Sequence, residues 1–143
     1  MSGIKIRVPG DPVAKGRPRA TAIGGHARMY TPATTRAYEQ RVAVAAREAT
    51  AKAPPMDGAL SVSIEITMQI PASWGRAKRA DALAGLVMPT GRPDLDNLVK
   101  ALTDACNGIV WRDDAQIVRL MAEKRYGEQP GASISVIPLK WQT

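Results

Sequence analysis

The chain has 143 residues, 45% apolar and 23% charged, enough to bury one sizeable core, which suits a single domain over residues 1–143 and argues against disorder. Twenty Lys and Arg against thirteen Asp and Glu give a formal charge of +7, which favours a polyanionic partner such as nucleic acid over an acidic small molecule. One Cys and one His exclude an intramolecular disulfide and a zinc finger, and no apolar run approaches the roughly 20 residues of a membrane span.

Ile4, Ile6 and Val8 alternate with Lys5 and Arg7 ahead of Pro9-Gly10, the period of a half-buried first strand. The stretch from Asp11 to Tyr30 carries Lys15, Arg17, Arg19 and Arg28 among Pro and Gly and reads as a basic loop or an open hairpin. Thr31-Pro32 then supplies an N-cap with Pro at the first helical position, and Tyr38, Val42, Ala45 and Ala49 mark a helical stripe ending near Lys52. Leu60 to Ile70 alternates most cleanly, with Leu60, Val62, Ile64, Ile66, Met68 and Ile70 on one face and polar residues on the other. After Pro71, Ser73 is placed to cap a short basic helix from Trp74 to about Leu83, carrying Arg76, Lys78 and Arg79, and Gly85 to Pro93 follows as a linker.

From Leu95 a helix runs to the Asn107-Gly108 stop, with Leu95, Leu98, Val99, Leu102, Ala105 and Cys106 inside a ~120° arc and Asp96, Asn97, Lys100, Thr103 and Asp104 opposite. Gln116 to Tyr126 and Ser133 to Leu139 read as two last strands joined by a turn at Gly127 to Gly131, Val118, Leu120 and Ala122 forming one face of the first. The expected fold is therefore α+β: one domain, a mixed and mostly antiparallel sheet of about four strands, two main helices and one short basic helix on one face.

Charge is unevenly placed. Residues 1–92 carry 14 basic and 6 acidic side chains, residues 93–143 carry 6 and 7, and five carboxylates fall between Asp94 and Asp114. Like charges held close repel more as water is excluded, so such a cluster is easiest to explain with a cation at its centre. Mg²⁺ is held by one or two carboxylates plus water and substrate phosphate. Asp94 at the helix mouth and Asp96 in its first turn can converge on such an ion, Asp113-Asp114 can bring a third carboxylate, and Lys100 would put an ammonium beside them. Each piece also has a structural reading. Asp94 caps a helix, Asp96 suits the macrodipole and pairs with Lys100 at i, i+4, and Asp113-Asp114 are turn residues. With no Phe and 4% aromatics, base stacking is a poor route to nucleic acid.

Gly91-Arg92-Pro93-Asp94-Leu95-Asp96-Asn97-Leu98-Val99-Lys100-Ala101-Leu102-Thr103-Asp104-Ala105, followed by Trp111-Arg112-Asp113-Asp114-Ala115-Gln116-Ile117, resembles the signature of the RusA family of Holliday-junction resolvases. Pro12 to Arg19, Tyr30-Thr31-Pro32 and the basic segment Pro71 to Gly85 look like the branch found in phages and prophages. The resemblance implies a Mg²⁺-dependent homodimeric endonuclease that nicks two strands of a four-way DNA junction in recombination and repair. Asp94, Asp96 and Asp114 would be metal ligands, Lys100 the catalytic lysine, and Asp113 a neighbour of unassigned role. Any opening of the junction by a phenylalanine wedge would pass to another apolar side chain. The basic surplus of residues 1–92 offsets repulsion between DNA and the carboxylates, so Lys15, Arg17, Arg19, Arg76, Lys78 and Arg79 are the expected phosphate contacts. His26 is expected to be a bystander or phosphate contact, Cys106 a core residue, and Trp111 a packing residue or a wall of the site. With no signal peptide, the expected compartment is the cytoplasm. The competing readings are a non-catalytic nucleic-acid-binding module and a nuclease for flaps, forks or RNA.

Overall fold

The computed structural model describes residues 3–16, 19–23, 26–30 and 33–140, with 19–23 and 26–30 described by their backbone. The elements in chain order are β1 (Ile4–Pro9), β2 (Arg19–Ile23), β3 (His26–Tyr30), α1 (Ala33–Thr50), β4 (Leu60–Gln69), α2 (Arg76–Leu83), α3 (Leu95–Cys106), a 3₁₀ turn (Asp114–Gln116), β5 (Ile117–Gly127) and β6 (Gly131–Pro138). This is the expected α+β domain. Its main sheet has the strand order β1-β6-β4-β5, antiparallel at β1-β6 and β6-β4 and parallel at β4-β5. β2 and β3 pair antiparallel as a separate two-stranded sheet, so residues 19–23 and 26–30 of the basic stretch follow the hairpin alternative, while residues 11–16 are irregular. Among the described residues no helix is long and apolar enough to cross a membrane.

Strand alternation sorts the sheet into two faces. Ile6, Val8, Leu60, Val62, Ile64, Ile66, Ile134 and Val136 are at most 2% exposed and meet Tyr38, Val42 and Ala46 of α1 and Leu98, Ala101, Leu102 and Cys106 of α3. Lys5, Arg7, Ser63 and Glu65 stay on the open face. Burial of the aliphatic side chains at roughly 1.5–3 kcal/mol each drives this layering.

Four local expectations need correction. The buried stripe of α1 is Thr35, Tyr38, Val42, Ala46 and Thr50, with Ala49 exposed, a rotation of roughly 50° from the apolar pattern. Thr35 explains it: its hydroxyl accepts from the Gly16 backbone N–H at 3.0 Å and donates to the Ala14 carbonyl, so a polar residue is buried with its bonds made. Helix α2 starts at Arg76 with Gly75 as N-cap and no side-chain cap. Ser73 is exposed two residues too early, and Trp74 instead packs edge-on against Tyr126 with centroids 5.2 Å apart. Thr103, expected on the wet arc of α3, is 8% exposed and donates to the Val99 carbonyl at 3.1 Å, which lets its methyl face the core. Val118 and Leu120 are 63% and 49% exposed, because β5 is an edge strand whose first half no helix covers. The Thr31-Pro32 cap lies outside the described residues.

Candidate metal and nucleic-acid site

Helix α3 and the turn before β5 carry the acidic residues. Asp94 holds an extended backbone (φ −68°, ψ 140°) and is the N-cap of α3. Its carbonyl accepts from Leu98 N–H at 3.1 Å, but its side chain makes no capping hydrogen bond. The carboxylate therefore does not bend back over the first turn as a cap would, and it lies exposed to solvent. Asp96 is also exposed, and one of its oxygens accepts from the Asn97 N–H at 3.0 Å. The positive end of the helix dipole tolerates both negative charges. Beside them lies a cleft of about 540 Å³ lined by Ala14, Lys15, Gly16, Arg92, Pro93, Asp94 and Asn97. It is closed on one side by the Lys15 N–H bonding the Asn97 carbonyl at 2.8 Å.

Lys100 does not pair with Asp96. Its Nζ donates to Asp104 Oδ1 at 2.8 Å, one turn further along the helix. Asp104 shares its other oxygen with Lys15 at 3.3 Å, and Lys15 also donates to Glu39 of α1 at 2.7 Å. The hydrogen bond that Lys100 donates to Asp104, helped by the charges of Asp104 and Asp114, raises the Lys100 pKa above its ordinary 10.5. An ammonium so paired suits electrostatic stabilisation of developing negative charge. Lys15, expected on phosphate, lines the cleft with its side chain 23% exposed and paired with two carboxylates.

The third carboxylate is set by a small polar lattice. Asp113 caps the 3₁₀ turn, its side chain accepting from Ala115 N–H at 2.9 Å. Gln116 closes the turn by accepting from the N–H groups of Arg112 and Asp113 at 2.8 and 3.0 Å while donating to the carbonyls of Met56 and Gly58 at 2.8 and 3.0 Å. Asp113 is thereby committed to structure. Asp114 is half-buried and accepts from Nε1 of the fully buried Trp111 at 2.7 Å, so Trp111 is both core and a direct support of the site. Cys106 is buried, its thiol pushed up to about 12 by burial and further by the charge of Asp114. It stays protonated and unreactive.

Lys124, Asp104, Gln116 and Arg92 are the residues that sequence reasoning missed. Lys124 lies on the helix-covered parity of β5, after Leu120 and Ala122, and its Nζ donates to the carbonyls of Gly91 and Pro93 at 2.7 and 2.8 Å. It ties the edge strand to the segment that delivers Asp94. The signal was a lysine at an apolar strand position. Of the other basic residues, Arg76 is exposed, Lys78 stands 3.9 Å over the Trp74 ring, and Arg79 is half-buried. The side chains of Arg17, Arg19 and His26 lie outside the described residues.

Among the described residues no three His, Cys, Asp or Glu side chains stand close enough to enclose an ion. A hard divalent cation does not need such a cage. One or two carboxylates with water and phosphate suffice for Mg²⁺, and Asp94 and Asp96 offer exposed, all-oxygen donors two residues apart at a cleft. The donor set fits.

YqaN, an uncharacterized protein of Bacillus subtilis (strain 168), is 35% identical over 138 residues, covering 95% of this chain and 96% of its own. The family described as endodeoxyribonuclease RusA matches residues 9–137, and the chain belongs to that family.

Proposed function

We propose that this protein is a divalent-metal-dependent endodeoxyribonuclease that resolves four-way DNA junctions by paired nicks, acting as a homodimer. The observation that carries the reading is the pairing of two unbonded or weakly bonded carboxylates, Asp94 and Asp96, with Lys100, itself held by Asp104, on one helix whose mouth opens on a cleft. Family membership supports a DNA substrate.

Asp94 and Asp96 would hold Mg²⁺, with Asp114 as the further carboxylate of the site. Bound there, the ion would polarise the scissile phosphate and lower the pKa of a water molecule. Lys100, oriented by Asp104, stabilises negative charge as it develops on the phosphate oxygens. Asp114 is held in place by the Trp111 indole N–H. Arg92 at the cleft and Arg76, Lys78 and Arg79 on α2 supply backbone contacts, together with Arg17 and Arg19. Lys15 contributes by fixing Asp104 and Glu39, with a lesser share in phosphate binding.

The deciding experiment is cleavage of a panel of labelled four-way junctions, flaps, forks, linear duplex and RNA with Mg²⁺ or EDTA. Symmetric nicks in the four-way junction that need Mg²⁺ are expected. Asp94→Asn should bind the junction and fold normally, since the side chain makes no capping bond, while losing at least 10³-fold in rate; an active Asp94→Asn enzyme refutes the metal assignment. EDTA-insensitive binding without turnover on any substrate would favour a binding module, and turnover confined to flaps, forks or RNA would replace the substrate.

A further inference from the structure

We propose that β5 is the seam of the homodimer: its open edge pairs antiparallel with the same strand of a second copy, in the register that sets Met121 against Met121. The inference rests on the dimeric part of the proposed function and specifies the surface it uses.

The main sheet ends at β5 on one side and at β1 on the other. An open edge is a template for another strand unless charge, Pro or a covering element blunts it. β1 is blunted: it is six residues long, ends in Pro9, and self-pairing about Ile6 would set Lys5 against Arg7. β5 is 11 residues long, and Val118, Leu120 and Met121 are 63%, 49% and 66% exposed. Val118 and Leu120 on the helix side of the sheet and Met121 on its open face leave apolar side chains in water on both faces of this edge.

Charge then selects the register. The Met121 axis takes Glu123 from its own Arg125 and sets Lys124 against Val118 and Arg125 against Ile117, but it gains two opposite-charge pairs with no like pair, whereas an axis at Lys124 gains two at the cost of setting Lys124 against itself. A two-fold axis through Met121 places Arg119 opposite Glu123 of the second copy twice over, and Leu120 opposite Ala122. Both charged pairs fall on the open face of the sheet, because Arg119 and Glu123 share the parity of Ser61 and Glu65 on β4. The other registers are worse. An axis at Ala122 sets Arg119 against Arg125, an axis at Arg119 or Glu123 sets a charge against itself, and an axis at Leu120 sets Arg119 against Met121 and Glu123 against Ile117. Opposite charges directly across an antiparallel pair stabilise it and like charges destabilise it. Closure about a two-fold axis stops growth at two copies.

Arg119, Met121 and Glu123 are exposed, so changing them leaves the core intact. Light scattering across a concentration series should show a wild-type dimer, and Arg119→Glu should raise its dissociation constant by about tenfold or more. Adding Glu123→Arg to that variant should restore the dimer. Met121→Cys, oxidised with copper phenanthroline, should link into a covalent dimer. Val44→Cys on α1, 53% exposed, should not, and Cys106 is buried. A wild-type dimer indifferent to Arg119→Glu with no Met121→Cys link overturns the interface and leaves the dimeric reading standing. Loss of the dimer without restoration by the second change overturns the register. A wild-type chain monomeric at every concentration overturns both, and junction cleavage measured on the same samples reports separately on the nuclease.

Discussion

Replacing Lys124 with Met keeps the length of the side chain on β5 and removes only the ammonium. The wild-type group makes two hydrogen bonds, 2.7 and 2.8 Å long, to the carbonyls of Gly91 and Pro93. Hydrogen bonds from a charged donor contribute roughly 1.5–3 kcal/mol each, but Gly91 is exposed and Pro93 only half-buried, so water replaces part of what is lost. A net cost of about 1–2 kcal/mol follows, or about 3–6 °C in Tm for a domain of this size. The larger effect falls on chemistry. Asp94 follows Pro93 directly, and a reacting group displaced by about 1 Å loses up to ~10² in rate. Lys124→Met should therefore lower kcat on a four-way junction by about 10- to 100-fold, leave KM for DNA nearly unchanged, and raise the Mg²⁺ concentration needed for half-maximal rate. Lys124→Arg should recover part of the rate. Single-turnover cleavage with a Mg²⁺ titration, run well below the Tm of each variant, separates these effects. A Met variant with wild-type rate and Mg²⁺ requirement would show that the clamp does not position Asp94.

Asp104→Asn removes the carboxylate shared by Lys100 and Lys15; junction cleavage should fall about tenfold, corresponding to ~1.4 kcal/mol, and an unchanged rate would remove Asp104 from the positioning of Lys100. Alkaline pH should destabilise the fold in a set order. The Cys106 thiol is raised from 9.0 to about 12 by burial and the Tyr38 hydroxyl from 10.0 to about 12, also by burial. For an acid whose folded pKa is raised, the unfolded chain holds fewer protons above its own pKa, so stability is full below pH 9 and declines as pH rises through 9 to 12. Thermal melts from pH 7 to 11 should show that decline, with a shallower slope in Cys106→Ala; equal slopes would contradict it. Gly131→Ala would set its Cβ 2.9 Å from the Val8 carbonyl across the β1-β6 pair, and the strand has to shift, so a loss of about 1–3 kcal/mol is expected in urea unfolding.

Sequence periodicity carried the fold far because the elements bury one face each. The alternation of Leu60 to Ile70 and the stripe of α3 follow from hydrophobic burial alone, and the structure has the strand and the helix within a residue of those bounds. What periodicity could not supply was the consequence of tertiary bonds. Thr35 goes inside because the Ala14 carbonyl, 21 positions earlier and beyond β2 and β3, accepts its hydroxyl, a partner nothing local in the sequence announces, and Thr103 because the Val99 carbonyl one helical turn back accepts its own. The same limit applied at the candidate site. Its residues stood out by type and spacing, yet Lys100, which the structural reading paired with Asp96 one helical turn before it, bonds Asp104 one turn after it, where Lys15 also reaches. Lys124 looked like one more member of an alternating strand. Its role depends on a segment more than 30 positions earlier in the chain.

The order β1-β6-β4-β5 also dictates when the molecule can fold. The first strand made and the fourth made have no direct bond to each other; the last strand made is wedged between them. As the chain leaves the ribosome, β1 must wait, unpaired, for residues 131–138 to emerge, and only then can the hydrophobic layer close over α1 and α3. Assembly is thus a late, concerted event governed by contacts between distant parts of the polypeptide, the kind of topology that folds slowly, and a nascent chain halted before Gly131 holds two sheet fragments without the strand that joins them.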